Sequence, residues 1–474
     1  MSEFDLCVIG GGSGGLVVAA GGAALGAKVA LIEKNKLGGE CLWTGCVPSK
    51  ALLSSAEAAQ TMREAQRFGV SPAIPQVKLA DVMQRIDRVI HAIEPHDSPE
   101  RFRGLGVDVI FGAGHFADAN TFAVSGRKLT AKKFVLATGS HAAVPPIPGI
   151  ENVPVLTNET VFDLREEVGH LIVLGAGPIG CEMAQAFRRL GSEVDVVEMS
   201  SRILDKDDPD LAEVVFERLR MEGIRFHLSA KVARAEGKKG DVCLSLEGGK
   251  QNAVAGTHLL IAAGRKPNLD GLDLERAQVK VEKDRLVVDE HLRTSNKDIY
   301  ACGDVAGSYQ FTHIAEYQAG IVLRNVLFHL PAKPSGHAVP WCTFTDPELA
   351  QVGLSETEVK KQNRAHKVYR FQFADIDRAQ AEGETAGFAK VVTDPKGTLL
   401  GAAIVGRHAG ELIHEYVLAV TKKMKISDLS GVIHIYPTLA QINRRAADVA
   451  LKAKLTPFRK KLLRMIFGLR GPSQ

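Results

Sequence analysis

Two stretches of the chain repeat one succession of hydrophobic and polar texture. FDLCVIGGGSGG starts at Phe4 with an unbroken apolar run, breaks into glycines, passes through small residues and returns to an apolar run, KVALIE, that ends at Glu33. HLIVLGAGPIG starts the same succession at His170, continues through CEMAQAFRRLG and ends with EVDVVE at Glu198. Short continuous apolar runs bounded by glycine predict strands buried on both faces, and the longer stretches between them predict crossover helices. Each copy closes later on another apolar run entering a glycine turn, KFVLATGS in the first and HLLIAAGRKPN in the second.

The first copy is 40 residues longer between its first glycine and its closing turn. AAVPPIPGIENVP reads as a linker after that closure, with a second crossing near Lys266 to Gly271. NKDIYACGDVAG predicts a further strand with Asp304 on the turn at its end. From about residue 340 the texture changes to strand-like CTFTDPELAQVGL, HKVYRFQF, FAKVVTD and TLLGAAIVG, with AGELIHEYVLAVTKKM as one amphipathic helix and Pro437 as a helix start. The fold expected is α/β: two Rossmann-like units followed by a C-terminal α+β domain. The expected segments are 1–150, 151–270, 271–339 returning to the first unit, 340–450, and a tail at 451–474.

The glycines sharpen this picture. Gly10, Gly12 and Gly15 form G-x-G-x-x-G directly after a strand, as do Gly175, Gly177 and Gly180, and in both copies the acid, Glu33 or Glu198, lies 23 residues after the first glycine. Such turns let a pyrophosphate approach backbone N–H groups at a helix N-terminus, while the acid binds a ribose hydroxyl. Two matched copies predict two dinucleotide sites.

Composition removes other classes. With 45% apolar and 24% charged residues and 46 glycines, the chain is neither disordered nor fibrous. A net charge of +4 from 59 basic and 55 acidic residues gives no reason to expect nucleic acid. The start, MSEFDLCVIGGG, has acids and no secretory pattern, so a cytoplasmic protein is expected.

Seven cysteines are scattered, and only Cys41 and Cys46, in GGECLWTGCVPSKALL, are close together. Pro48 predicts a helix starting at about Cys46, where the macrodipole favours thiolate over thiol. A low-pKa thiol beside a second cysteine suits two-electron exchange. The alternatives are two structural thiols or a zinc half-site, and zinc lacks a second nearby ligand pair. No metal centre is expected.

The sequence resembles the FAD-dependent pyridine nucleotide-disulfide oxidoreductases, which include dihydrolipoamide dehydrogenase, glutathione reductase and mercuric reductase. Both glycine motifs, GGECLWTGCVPSK, ATG, AAGRKPN, YACGDVAG and VGRHAGELIHE occur in family order across almost the whole chain. The resemblance implies that 1–150 and 271–339 bind FAD through Gly10, Gly12, Gly15 and Glu33, with Lys50, Gly114, Thr138, Gly139 and Thr312 near it and Asp304 at the ribityl chain. It implies that 151–270 binds NAD(H), with NADP(H) less favoured, through Gly175, Gly177, Gly180, Glu198 and the Gly264 turn. A carboxylate at Glu198 accepts from a 2′-hydroxyl and repels a 2′-phosphate, although Arg202 follows closely.

The implied activity carries a hydride from NADH through FAD to a Cys41–Cys46 disulfide and on to an acceptor. Lys50 and Glu182 would pair beside the flavin, Cys46 would face it as thiolate and Cys41 would be the exchange thiol. Residues 340–450 would be a dimerisation domain, making a homodimer in which each last domain completes its partner's site.

One motif departs from the pattern. Thiol-using members carry His before Pro and Glu five residues after that His; here VIHIYPTLAQ places Tyr436 and Gln441 at those positions. Tyrosine, with a reference pKa of about 10, is a poor base at neutral pH. His434 lies two residues upstream, and on an extended segment His434 and Tyr436 would face one site. The acceptor therefore stays open among a small disulfide, a soft metal ion and a quinone or other small oxidant, as does a catalytically idle redox-sensing flavoprotein. Against a full mercuric reductase, neither an amino-terminal metal-binding domain nor vicinal cysteines near GLRGPSQ are expected. Trp43, near the first cysteine, either narrows the acceptor side or packs.

The tail between Lys452 and Arg470 has seven basic residues and no acid, with Phe458, Leu462, Met465, Ile466 and Leu469 at helical spacing. Such a helix suits peripheral contact with an anionic membrane or a partner groove, or packs on its own domain.

Overall fold

A computed structural model describes residues 2–249, 251–307, 309–336 and 338–471, so the last three residues of the tail lie outside it. The first copy forms a parallel sheet in the order Asp108–Phe111, Val29–Glu33, Phe4–Ile9, Arg127–Leu136, Ile299–Ala301. The second repeats that order with Arg225–His227, Glu193–Val197, His170–Leu174, His258–Ile261 and Val155–Leu156. Each central strand is buried on both faces, because helices pack on one side of the parallel sheet and an antiparallel meander on the other. Each copy also carries a three-stranded antiparallel meander before or within its closing strand. The crossings between the copies, Ser140–Ala142 and Arg265–Pro267, pair with each other antiparallel.

The chain divides into two compact units: residues 1–64, 72–202 and 223–335, and residues 65–71, 203–222 and 336–474. The first holds both nucleotide folds, each with its own apolar core. In the second, a five-stranded antiparallel sheet runs Pro340–Thr343, Glu348–Gly353, Leu399–Gly406, Phe388–Thr393, Lys367–Gln372 and buries one face under the helices around Tyr416 and Ile442. The helix Pro209–Met221, which follows Glu198 in sequence, belongs to this second unit.

Two local expectations need correction. AGELIHEYVLAVTKKM is not one helix but two, Ala409–Leu412 and His414–Thr421, because the Asn443 side chain takes the Leu412 carbonyl (3.0 Å). The helix expected at Pro437 begins at Gln441, after an irregular segment 432–440. The tail is helical from Pro457 to Phe467, and none of its residues is buried.

A buried charge cluster ties Pro209–Met221 to the second unit's sheet. Lys390 Nζ, with its side chain only 2% exposed, lies 2.8 Å from Asp208, 2.7 Å from Asp210 and 3.2 Å from Glu356. Asp208 also accepts from the Glu356 and Thr357 backbone N–H groups, both at 3.0 Å. Burial works to raise the Asp208 pKa, and the bonds from Lys390 and Thr357 outweigh it and hold it below the ordinary value. Removing one member of such a group leaves uncompensated buried charge. We predict that Lys390→Met lowers unfolding free energy by about 3 kcal/mol at neutral pH in denaturant titrations. Stability from a depressed carboxylate pKa is present above the unfolded value and lost below it, so the deficit narrows as the pH falls below about 4.

Candidate functional site

The two glycine turns share their geometry to the level of single hydrogen bonds. A side chain at Gly10 would strike the Ala137 carbonyl and one at Gly15 the Gly10 carbonyl; Gly175 and Gly180 stand in the same relation to Ala262 and Gly175. Packing therefore accounts for the first and third glycines. The middle ones differ: a Cβ on Gly177 would meet nothing within 4 Å and one on Gly12 only the Gly39 Cα at 3.7 Å. That open side leaves room for a pyrophosphate to reach the backbone at the N-termini of helices Ser13–Ala24 and Pro178–Arg189. Glu33 accepts from Gly11 and Asn35 N–H, and Glu198 from Ala176 and Ser200 N–H, all four bonds at 2.7 Å. Both carboxylates are thus fixed at their strand ends, and the residues present fit two bound dinucleotides.

The cysteine segment lies on the first of these turns. Gly38 N–H donates to the Gly11 carbonyl (2.9 Å), and a side chain at Gly39 would stand 2.6 Å from the Gly12 Cα. The short helix Gly39–Trp43 carries half-buried Cys41, and the helix Cys46–Glu64 starts at Cys46 with Pro48 in its first turn. One turn further, Lys50 Nζ meets Glu182 Oε2 at 2.8 Å, and Glu182 is buried on Pro178–Arg189. Cys46 Sγ also lies 3.3 Å from Thr312 Oγ1, the first residue of the helix Thr312–Leu327. Two helix N-termini therefore meet the Cys46 sulfur, and both favour negative charge there.

Both cysteines are thiols in this structure, and their environments separate them. The hydrogen bond from Cys41 is the main cause lowering the Cys46 pKa to about 6; Thr312 and the Lys50 charge add to it, against desolvation and Glu182. Cys41 is raised in return, first by donating to Cys46, then by burial and by the Cys46 charge. The pair is thus biased one way, toward thiolate on Cys46 and toward a retained proton on Cys41.

Beside them Arg265 reaches Glu40 and donates to Ser140 Oγ (2.8 Å), and its Nε lies 3.7 Å from Asp304. Thr138 donates to the Asn268 carbonyl (2.7 Å), and Asn268 returns a bond to the Thr138 carbonyl (2.8 Å), closing the ATG turn on the GRKPN turn. Gly139 and Gly264, in those same turns, both adopt positive φ. Gly114 has a packing reason to be glycine, since Phe122 and the Ala123 carbonyl fill the place of a side chain. Trp43 packs: its indole N–H donates to the Leu37 carbonyl (2.7 Å), Lys36 lies over the ring and His91 meets it edge-on.

In the second unit His434 and Tyr436, expected to face one site, take different partners. His434 is buried, with Nε2 3.1 Å from Glu415 Oε1 and Nδ1 3.1 Å from the Val432 carbonyl. Tyr436, 64% exposed, donates instead to Asp377 (2.9 Å), not to Gln441. The segment is irregular rather than extended, so residues two apart need not point one way. The bond to Asp377 and its negative charge raise the tyrosine pKa further.

Residues 4–319 match the pyridine nucleotide-disulphide oxidoreductase family, and residues 339–447 match its dimerisation domain. The chain belongs to this family. It is 36% identical over 459 residues to a dihydrolipoyl dehydrogenase of Chlamydia trachomatis, covering 95% of this chain and 98% of that protein. It is 34% identical to a mercuric reductase of Bacillus cereus, covering 93% of this chain and 70% of that protein. Among solved structures, the HOCl-induced flavoprotein disulfide reductase RclA of Escherichia coli matches with a TM-score of 0.83 at 29% identity, covering 94% of this chain and 99% of that one. Its Cu(II) complex matches with a TM-score of 0.84 at 28% identity over the same shares of the two chains. Family members are oxidoreductases that use FAD and NAD(P)H, and this chain shares both cofactors. Its dimerisation domain supports a homodimer.

Within this oxidoreductase, sequence reasoning missed Arg265, Ser140, Glu415 and Asp377. Arg265 was within reach, since AAGRKPN was already a marked motif; the Asp377 contact left no sequence signal. We predict that alkylation of the reduced enzyme at Cys46 rises with pH to half-maximum near pH 6. Cys41→Ala removes the main cause of the low pKa, so it should shift the midpoint upward more than Lys50→Met and slow alkylation at pH 7 by about tenfold or more. A midpoint near 8.5 in the unmodified enzyme would overturn this assignment.

Proposed function

We propose that this oxidoreductase takes reducing equivalents from NADH and delivers them at Cys41 and Cys46 to a soft metal ion rather than to an organic disulfide. The observation that carries this reading concerns the two residues at and beside the family's base position: Tyr436 stands at the histidine position and donates to Asp377, while both ring nitrogens of His434 face oxygens of their own subunit. In this reading 1–150 and 271–339 bind FAD, 151–270 binds NAD(H) and 340–450 forms the dimer contact. Gly10, Gly12, Gly15, Glu33, Thr138, Gly139, Asp304 and Thr312 would hold FAD; Gly175, Gly177, Gly180, Glu198 and Gly264 would hold the nicotinamide dinucleotide. When bound, FAD supplies the two-electron relay between nicotinamide and dithiol.

The residues' own parts follow from their charges. Lys50, anchored by Glu182, keeps positive charge beside the Cys46 thiolate. Cys41 holds the proton that must leave before both sulfurs can bind one ion. Reducing an organic disulfide by NADH takes up one proton and requires the exchange thiol to be deprotonated and its product reprotonated, which is work for an imidazole. Reducing Hg(II) to Hg(0) by NADH yields NAD+ and releases one proton, so no protonated product leaves. Thiolates suit soft metals. The mercuric reductase relative and the Cu(II) complex of RclA support this reading, whereas the dihydrolipoyl dehydrogenase relative favours lipoamide.

An acceptor panel of Hg(II), Cu(II), lipoamide, glutathione disulfide and a quinone, run with NADH and NADPH, separates the readings. Metal-dependent NADH oxidation should exceed lipoamide turnover at pH 7 by about a hundredfold, the lower end of what general-base catalysis contributes. Brisk lipoamide reduction that His434→Ala abolishes would sink the proposal. Glu198→Gln removes the charge that repels a 2′-phosphate, so the kcat/KM preference for NADH over NADPH should shrink by roughly tenfold.

A further inference from the structure

The last helix presents an apolar face that the rest of its own unit leaves open. Thr456 caps it by accepting from Arg459 N–H (3.3 Å), and Gly468 ends it in the left-handed region, so the helix Pro457–Phe467 has both ends specified locally. It is about 16 Å long at 1.5 Å per residue. Phe458, Leu462, Met465 and Ile466 share an arc of about 100°, and Lys460, Lys461 and Arg464 lie on the other side. Phe458 and Met465 are 75% and 76% exposed, and Ile466, Phe467 and Leu469 are each more than half exposed. The matched dimerisation domain ends at residue 447, ahead of this segment.

We propose that this helix docks the enzyme on the surface of an anionic lipid bilayer, lying in the interface with its apolar arc toward the acyl chains. Charge decides the occupant. Seven basic residues and no acid between Lys452 and Arg470 repel a second copy of the same segment and attract anionic headgroups. Among the described residues, no helix is long and apolar enough to cross a membrane, so the contact lies on the surface.

Vesicle co-sedimentation of the full-length holoenzyme tests the idea, with pure phosphatidylcholine compared against a mixture containing one-third phosphatidylglycerol. The expected result is binding to the anionic vesicles alone, weakening as salt rises from 0.1 to 0.5 M. Lys460→Gln with Lys461→Gln should reduce partitioning about 30-fold, from about 1 kcal/mol per cationic side chain near such a surface. Met465→Asp, or truncation after Ala453, should abolish binding while flavin content and dimer mass stay unchanged. Absence of binding, equal binding to neutral vesicles, or binding that survives truncation would overturn the proposal. So would loss of a higher oligomer on truncation without vesicle binding, which would assign the face to a second copy. The readout is independent of the electron acceptor, so failure here leaves the metal-ion reading untouched, and the reverse holds.

Discussion

The closeness of Cys41 and Cys46 turns two thiols of one chemical type into different reagents, one pKa lowered and the other raised. Sharing the proton unequally costs little once one sulfur is already favoured as an anion. The fold supplies that bias: Cys46 begins one helix and touches the first residue of another. The Lys50 charge stands one turn away and is anchored by a carboxylate that is itself buried. Each of these groups is weak alone, since a helix terminus or a half-exposed lysine contributes only modestly. Together they favour the thiolate at Cys46. The arrangement also depends on Gly39, because any side chain there would push the cysteine segment off the Gly12 turn.

The two nucleotide folds show what repetition at the level of residues means physically. Glu33 and Glu198 are each fixed by the N–H of the residue after the first glycine and by the N–H two residues beyond the acid. A carboxylate at a parallel strand end has few donors within reach, so one spacing yields one bonding pattern in both copies. Divergence sits between the elements. The longer connection of the first copy carries the cysteines; the second copy contributes Glu182 from the helix after its own glycine turn.

Local signals made much of this legible. Apolar runs, glycines and the proline after Cys46 fix strands, turns and a helix start through short-range sterics and capping, and those elements are where the sequence places them. What was not legible depends on which side chain a folded neighbour offers. The break at Ile413 arises because Asn443, 30 residues later, takes the Leu412 carbonyl. His434 and Tyr436 diverge because Glu415 and Asp377 lie on different elements. Alternation of side chains holds only on a regular strand, and 432–440 is irregular. Pro209–Met221 reads in sequence as part of a nucleotide fold, yet the buried Lys390 cluster draws it into the second unit.

On the proposed reading, the changed residues at the base position bear on which acceptor the cysteines serve. A histidine with an oxygen at each ring nitrogen gives up an intramolecular bond whenever it moves a proton, so it is a poor shuttle. Tyr436 is displaced in the opposite sense, since a carboxylate holding its hydroxyl proton makes deprotonation harder. The proton of Cys41 must then leave to water or to the incoming acceptor's own ligands. A metal ion that forms bonds to sulfur lowers the pKa of the thiol it meets and drives that proton off without a base. An organic disulfide has no such effect on the thiol that attacks it. On the proposed reading, acceptors differ in whether they can deprotonate Cys41 on arrival.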